Sequence, residues 1–367
     1  MLSITSRTIT AALFFMMSTG VAAVAQSTGA SGGSAVPFLL ISPNARNGGM
    51  GEAGTGITKD INATFYNIGG LAYSRNTQVS LTYSKWLPQF NADLHYSYLN
   101  ASAYVDDLDG TINGHFVFLD LGQFQQTFEN GRTGDNFRSL EFSIGAGYST
   151  MVSDDVGAGV QARYIQSNLS SGAQVGNEKG SGIGRSVAFD IGALYTPQFG
   201  ADIGFPDDFL SVGAALNNIG PKIHYIDVTQ ADPLPTNFRL GLGIHLVQDE
   251  FNDLTVAADM SKLLVNRPTI NEVDPVPKSL ITAWSNGKGV EWSFGAEYWY
   301  EQLVALRAGY FTESVAGGNR QFLTFGAGVR FDMYAVDFSY INTIEETHPL
   351  ANTLRFTFMV DFDKVAP

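Results

Sequence analysis

Two adjacent carboxylate pairs, Asp154-Asp155 and Asp207-Asp208, have the residue type for general acid and base work. Both stand among turn formers, where aspartate is common, so catalysis by them is not expected. The run Asp106-Asp107-Leu108-Asp109-Gly110 has the outline of a calcium loop. Its glycine comes too early for an EF-hand and no glutamate closes it, so it reads as a turn. His95, His115, His224, His245 and His348 share no H-x-x-x-H or comparable spacing, and the chain has no cysteine; no metal site is expected. Gly49-x-Gly51-x-x-Gly54 matches the dinucleotide fingerprint only formally, because that motif needs a strand before it and a helix after it. Close packing of backbone is the better account of those glycines. No G-x-S-x-G elbow and no P-loop occur. Neither a cofactor nor an enzymatic activity is expected.

A second set of charges is placed differently. Arg163, Asp190, Arg239, Asp259, Glu297, Arg307, Arg330, Asp337 and Arg355 each fall inside a segment of alternating polarity, on its non-apolar face. The elements that would carry them have period two. Leu140, Phe142, Ile144, Ala146 and Tyr148 alternate with Glu141, Ser143, Gly145, Gly147 and Ser149. Val290, Trp292, Phe294, Ala296 and Tyr298 do so against Glu291, Ser293, Gly295 and Glu297, and the final segment sets Leu354, Phe356, Phe358, Val360 and Phe362 against Arg355, Thr357, Met359 and Asp361. Side chains alternate between the faces of a strand, so each segment has one apolar and one polar or tiny face.

About fourteen such segments recur, centred near residues 83, 98, 116, 144, 160, 191, 214, 242, 257, 294, 307, 326, 337 and 358. No apolar run between residues 79 and 362 is long enough for a membrane-spanning helix. An even number of one-sided strands of roughly 9–11 residues is the pattern of an outer-membrane barrel. A soluble sandwich or barrel also alternates. Aromatics near strand ends (Tyr83, Trp86, Tyr148, Tyr164, Tyr195, Tyr298, Trp299, Tyr310, Tyr340), the Gly/Ser/Thr-rich opposite face and the aromatic last strand favour the membrane. The expected fold is therefore an all-β transmembrane barrel of about 14 antiparallel strands. On the lipid side an Arg or Lys would cost about 2–4 kcal/mol at the midplane, so the mid-strand charges belong to the lumen. They either line a polar pathway or form a salt-bridged interior; intermixed signs favour the second, with Arg46 as a further partner.

Composition agrees. The 367 residues include 40 glycines, 12% aromatics and only 15% charged residues, with a net charge of −14. An average soluble domain has about 25% charged residues and about 7% glycine. The acidic balance argues against nucleic acid, and the hydrophobic fraction of 44% argues against disorder. Residues 1–25 read as a secretory signal, with Arg7 before an apolar core and Ala23-Val24-Ala25 as the cleavage site. Residues 26–37 follow as a flexible Gly/Ser-rich leader, 38–76 as a segment of neither strand nor open-helix pattern, 77–362 as the barrel and 363–367 as a tail. With both barrel ends periplasmic, the long connections (120–139, 167–185, 220–237, 263–289, 312–321, 342–353) fall outside and the short ones inside. Two break the rule: the outer one near Pro88 is short, and the inner one from 197 to 208 is long.

Motifs make the resemblance specific. Ala45-Arg46-x-Gly48-Gly49-Met50-Gly51-x-Ala53-Gly54, then Asp60-x-Asn62-Ala63 and Asn67-x-x-Gly70-Leu71-Ala72, resemble the start of FadL-like outer-membrane barrels. That resemblance implies fourteen strands and an N-terminal plug folded into the lumen. Ile68 and Gly69 depart from the Pro-Ala often found there. Phe38-Leu-Leu-Ile-Ser-Pro-Asn-Ala-Arg46, Ala162-Arg163-Tyr164-Ile165, Asn217-Asn218-Ile219-Gly220-Pro-Lys222, Leu234-Pro-Thr-Asn-Phe-Arg-Leu-Gly241, Gly295-Ala-Glu-Tyr-Trp-Tyr300 and His348-Pro-Leu-x-Asn-Thr-Leu-Arg-Phe356 are similar to the PorV (LptO) family of the type IX secretion system.

The resemblance implies a non-enzymatic role. Such a protein takes secreted cargo by its C-terminal domain and passes it from the translocon to the cell-surface attachment complex, in a wall of outer-membrane lipid and lipopolysaccharide. Cargo contact would then fall to the outer loops: Leu263, Leu264, Val265 and Trp284 in one, and Ile223, Tyr225, Ile226 and Leu234 in another. The same apolar residues could instead pack the two loops together over the barrel. Transport of hydrophobic small molecules, by analogy with FadL-like proteins, is the alternative function.

Overall fold

The computed structural model describes residues 33–90, 93–127, 132–170, 182–226, 228–269, 272–286, 289–315, 317–345 and 348–364. The expected signal at 1–25, most of the leader and the end of the tail lie outside the described residues. The described chain forms fourteen strands: β1 Gln78–Lys85, β2 His95–Val105, β3 Gly110–Thr127, β4 Thr133–Ser153, β5 Val156–Asn168, β6 Ile183–Tyr195, β7 Leu210–Ile219, β8 Asn237–Gln248, β9 Asn252–Leu263, β10 Val290–Tyr300, β11 Val304–Glu313, β12 Gln321–Phe331, β13 Tyr334–Thr343 and β14 Leu354–Asp361. Each pairs antiparallel with its sequence neighbours, and β1 pairs with β14 to close the barrel. Closure leaves no open edge, which a membrane wall requires.

Burial alternates along the strands as the sequence does. On β5 the inward Gln161 and Arg163 are buried while the outward Val160 is 55% exposed. On β14 the inward Arg355 and Thr357 are buried while Phe356 and Phe358 stand exposed. All fourteen expected centres fall within strands. Three expectations change, the first being Trp86, which is not a girdle residue but packs inward beside buried Tyr96. The connection at 120–139 is mostly strand, because β3 and β4 run on as a hairpin whose Phe124 and Phe137 rings stack at 5.8 Å. Trp299 is not a girdle residue: it is 4% exposed and lies under the Arg307 and Arg330 guanidiniums inside the barrel. Its neighbours Tyr298 and Tyr300 take the other face, as period two demands.

One end of the barrel carries two- to four-residue turns with left-handed residues such as Asp109, Glu301 and Asp332, together with the longer connection at 196–209. The other end carries the loops. We call these the turn end and the loop end. β7 is short, and its pairing with β6 stops at Phe189 and Ile219. Against the remaining stretch of β6, residues 183–188, the loop at 220–236 folds inward: the Ser186 hydroxyl donates to the Pro221 carbonyl at 3.0 Å, and Ile223 and Leu234 are fully buried.

Residues 36–73 occupy the inside. They include two single-turn helices, α1 Ala45–Gly48 and α2 Ala63–Tyr66, and the 3₁₀ turns Pro37–Leu40 and Ile68–Tyr73. Asn44 caps α1 by accepting the Asn47 N–H at 2.8 Å, and the Asn67 side chain caps the second 3₁₀ turn through the Gly69 N–H at 3.1 Å. The segment bonds to the wall repeatedly: the Ala45 N–H donates to Thr357 Oγ1 at 2.9 Å, the Gly51 N–H to Thr324 Oγ1 at 2.8 Å, and the Ser149 hydroxyl to the Ile68 carbonyl at 2.7 Å. Gly51 has φ of +65°, and Gly309 on β11 lies so close to the Met50–Gly51 backbone that a Cβ there would fall inside it. Glycine on the inward faces thus makes room for a second layer of backbone.

Candidate functional site

The inner segment meets the wall through charge. Arg46, on α1, places Nη2 2.7 Å from Glu297 Oε1, Nε 3.0 Å from Glu297 Oε2, and Nη1 2.8 Å from Asp60 Oδ2. Glu297 on β10 stands opposite Arg307 on β11 in the strand register, so the two share the inner face. Arg307, with no exposed side-chain surface, donates Nε to Glu297 Oε2 and Nη1 to Asp337 Oδ1, both at 2.6 Å. Around the wall, Arg355 Nη2 donates to Glu52 Oε1 at 2.9 Å, and Asp259 Oδ2 accepts the N–H groups of Gly54 and Thr55, each at 2.7 Å. Arg163 pairs with Asp190, whose Oδ1 accepts the Asn218 N–H at 2.6 Å.

Two arginines of the expected set have no ion pair among the described residues. The Arg239 guanidinium lies over the Phe65 and Tyr66 rings, 5.0 and 5.5 Å from their centroids, and Arg330 lies 4.2 Å from that of Trp299. Desolvated cation–π contacts of this kind contribute about 2 kcal/mol. The structure therefore joins Arg46, Glu297, Arg307 and Asp337 in one network and holds Arg163–Asp190, Asp259 and Arg355 at separate points on the same inner segment or wall. Asp60 and Glu52, which complete two of these contacts, lie in the irregular segment, where strand alternation gives no signal.

At the turn end a third cluster ties the inner segment to the wall. His245 Nδ1 lies 2.9 Å from Asp208 Oδ1 and Nε2 2.9 Å from Asp253 Oδ1, while Lys59 Nζ lies 2.9 Å from Asp208 Oδ2. The His245 hydrogen bond, and after it the Lys59 ammonium, hold the Asp208 carboxyl well below the usual carboxylate range despite partial burial. The long connection at 196–209 so becomes a tether for the inner segment.

At the loop end the interior opens into a cavity of about 800 Å³. Phe38 and Ile41 of the inner segment, Trp86, Leu121, Leu169 and Phe322 form much of its apolar lining. Glu291 lines it and, together with Glu313, flanks Arg320, whose Nη2 and Nε reach them at 2.5 and 2.7 Å. Glu313 was not expected to matter, nor were Glu291 and Arg320. Glu141 also lines this cavity and is 4% exposed. Its inward place on β4 follows from the same alternation that located Arg163.

The eight expected loop residues divide. Ile223, Leu234, Leu264 and Val265 are buried; Ile223 and Leu234 join Phe38, Tyr96, Val117 and Ile165 in the largest apolar cluster. Leu263, Tyr225 and Ile226 are half-buried. Trp284 is 46% exposed and sits edge-on to Phe238, on the outward face of β8, with ring centroids 5.7 Å apart. It follows helix α3, Val276–Thr282, whose Ile281 is also exposed. The 263–289 loop thus folds over the outside of the rim, whereas 220–236 folds into it.

The barrel is similar to solved structures of low sequence identity. The Pseudomonas putida toluene transporter TodX matches with 12% identity and a TM-score of 0.51, over 87% of this chain and 96% of that one. The monoaromatic hydrocarbon channel CymD matches with 13% identity and a TM-score of 0.53, over 88% of this chain and 98% of that one. These likenesses are of fold alone, a closed antiparallel β-barrel. No curated protein sequence matches the chain. The model of the type IX secretion system protein PorV, however, matches residues 24–270, two thirds of the sequence. The chain belongs to the PorV family, the outer-membrane β-barrels of the type IX secretion system.

Proposed function

We propose that this protein is a non-enzymatic carrier of the type IX system. It binds the C-terminal domain of secreted cargo at the loop end, on the cell exterior, and moves it from the translocon to the surface attachment complex. The observation that carries this reading is the contrast along the barrel axis: a glycine-packed, ion-paired inner half beneath a wide apolar vestibule. Residues 38–76 act as the plug. Cargo held above such a plug is presented at the surface and does not cross this lumen. Residues 1–25 are the export signal, removed before assembly. Trp284 and Ile281 form the exposed part of the contact surface, and the buried loop residues shape it from below.

A second reading has one observation in its favour. The vestibule is of a size that suits a small apolar ligand, and TodX and CymD are a toluene transporter and a monoaromatic hydrocarbon channel. Deleting the gene and comparing secretomes separates the two. The carrier reading expects proteins bearing the type IX C-terminal domain to be lost from the surface. Normal surface delivery with reduced hydrocarbon uptake would overturn it.

A further inference from the structure

Among the described carboxylates lining the vestibule, all but Glu141 meet a cation or backbone N–H groups. Glu52 meets Arg355, Asp232 meets Arg267 at 2.5 Å, Glu291 meets Arg320, and Asp259 meets two backbone N–H groups. Glu141 has none of these. It stands between Leu119 on β3 and Ser167 on β5 in the strand register, and its Oε1 accepts the Ser167 hydroxyl at 2.7 Å. That hydroxyl in turn accepts from Tyr225 at 3.0 Å. Among the described residues Oε2 has no hydrogen bond and Glu141 has no cation partner. A carboxylate with one neutral donor, facing an apolar cavity, is better held when a positive group arrives to meet it.

We propose that Glu141 is the cation-recognition point of the vestibule, taking the lysine or arginine side chain of an otherwise apolar segment of the secreted partner. The occupant follows from charge and shape together. A lysine or arginine lays its methylene stem along apolar surface and keeps the charged head at a polar point. Here Trp86, Leu121 and Leu169 offer the apolar surface and Glu141 the point. The Ser167–Tyr225 chain fixes the carboxylate so that Oε2 is left for the incoming cation. This inference rests on the carrier reading and adds to it what feature of the cargo is read.

The test uses the full chain purified in detergent and the C-terminal domain of a protein secreted by the same system, with affinity measured by fluorescence anisotropy at low and high salt. Glu141→Gln is expected to weaken binding about tenfold or more and to flatten its salt dependence, while Glu141→Asp keeps most of the affinity. The domain with its lysines acetylated and its arginines blocked by a dicarbonyl reagent is expected to bind the unmutated protein as weakly as the intact domain binds Glu141→Gln. That second arm holds even where the variant fails to fold. Unchanged affinity and salt slope for a folded Glu141→Gln, or for the blocked domain, overturn the proposal and leave the carrier reading standing. Failure of the unmutated protein to bind any such domain, alongside binding of n-octylamine that Glu141→Gln abolishes, overturns both, because the site then serves small organic cations.

Discussion

In the inner half of the barrel, Arg46, Glu297, Arg307 and Asp337 satisfy one another, and glycines let two layers of backbone touch. In the outer half, the interior widens to about 800 Å³, apolar side chains line it beside the Arg320 ion pairs, and Glu141 keeps one oxygen unbonded among the described residues. The same fourteen strands run through both. The difference comes from what is added inside them: residues 36–73 fill the lower part, and above them the loop at 220–236 folds in, as Leu350 does against Phe311 and Phe322. A four-residue ion-pair network below and one carboxylate without a cation above separate the region that holds from the region proposed to bind.

The largest effect is expected from breaking the matched half. Arg307→Met removes both bonds of the Arg307 guanidinium and leaves Asp337 without its partner. Stranding a buried charge in this way costs about 3–5 kcal/mol, read as a lower denaturant midpoint of the folded barrel in detergent. Adding Asp337→Asn to Arg307→Met should recover a large part, since Glu297 keeps Arg46 and the stranded carboxylate is then neutral. A single variant of unchanged stability would mean that these charges line a water-filled path and do not hold the plug.

Next in size is the loop that folds over the rim, where two neighbours in sequence should behave in opposite ways. Leu264 is 3% exposed and its N–H donates to the Thr236 carbonyl at 2.7 Å, so Leu264→Ala is expected to cost about 2–4 kcal/mol by cavity formation. Trp284 is half exposed, so Trp284→Ala should change stability by less than about 1 kcal/mol, the worth of its edge-on contact with Phe238, yet reduce copurification with a cargo C-terminal domain. Equal loss of stability in both variants would make the loop a structural cover and move the contact surface elsewhere. On the inner side, Gly309→Ala should cost about 1–3 kcal/mol by overpacking against Met50 and Gly51, seen as faster proteolysis of the N-terminal segment while the barrel keeps its heat-resistant mobility.

How far the sequence could be read differs between the same two halves. Period two assigns Glu297, Arg307 and Asp337 to the lumen without any knowledge of what fills it, because a strand has only two faces. It cannot say that Arg46 bridges Glu297 and Asp60: that depends on where an irregular, glycine-rich segment comes to rest. Trp299 shows the limit of composition alone. A tryptophan near a strand end resembles a girdle residue, yet its register turns it inward beneath two guanidiniums. Register places Glu141 inward just as readily, but Ser167 and Tyr225, which give it meaning, lie on a different strand and a loop. Apolar loop residues carry the least information, since Leu234 seals the interior while Trp284 covers the exterior.

The smallest effect expected lies at the clasp that shapes this outer loop. Asp274 accepts hydrogen bonds from Lys278 at 2.6 Å, Thr282 at 2.7 Å and Asn266 at 2.8 Å. These bonds, that of Lys278 foremost, hold its carboxyl down to about 2. A carboxylate whose pKa is lowered on folding stabilises the fold above its ordinary value of about 3.9, and that contribution is lost as pH falls through about 2. Between these values α3 should loosen while the inner half stays closed. The measurement is the emission of Trp284 during acid titration, with the other tryptophans replaced by phenylalanine. Asp274→Asn should abolish the step, and its loop should already exchange amide protons faster at neutral pH. A step that persists in Asp274→Asn would place the acid-sensitive group elsewhere. If the ion-paired interior opened over the same range, the division between a half that holds and a half that binds would fail with it.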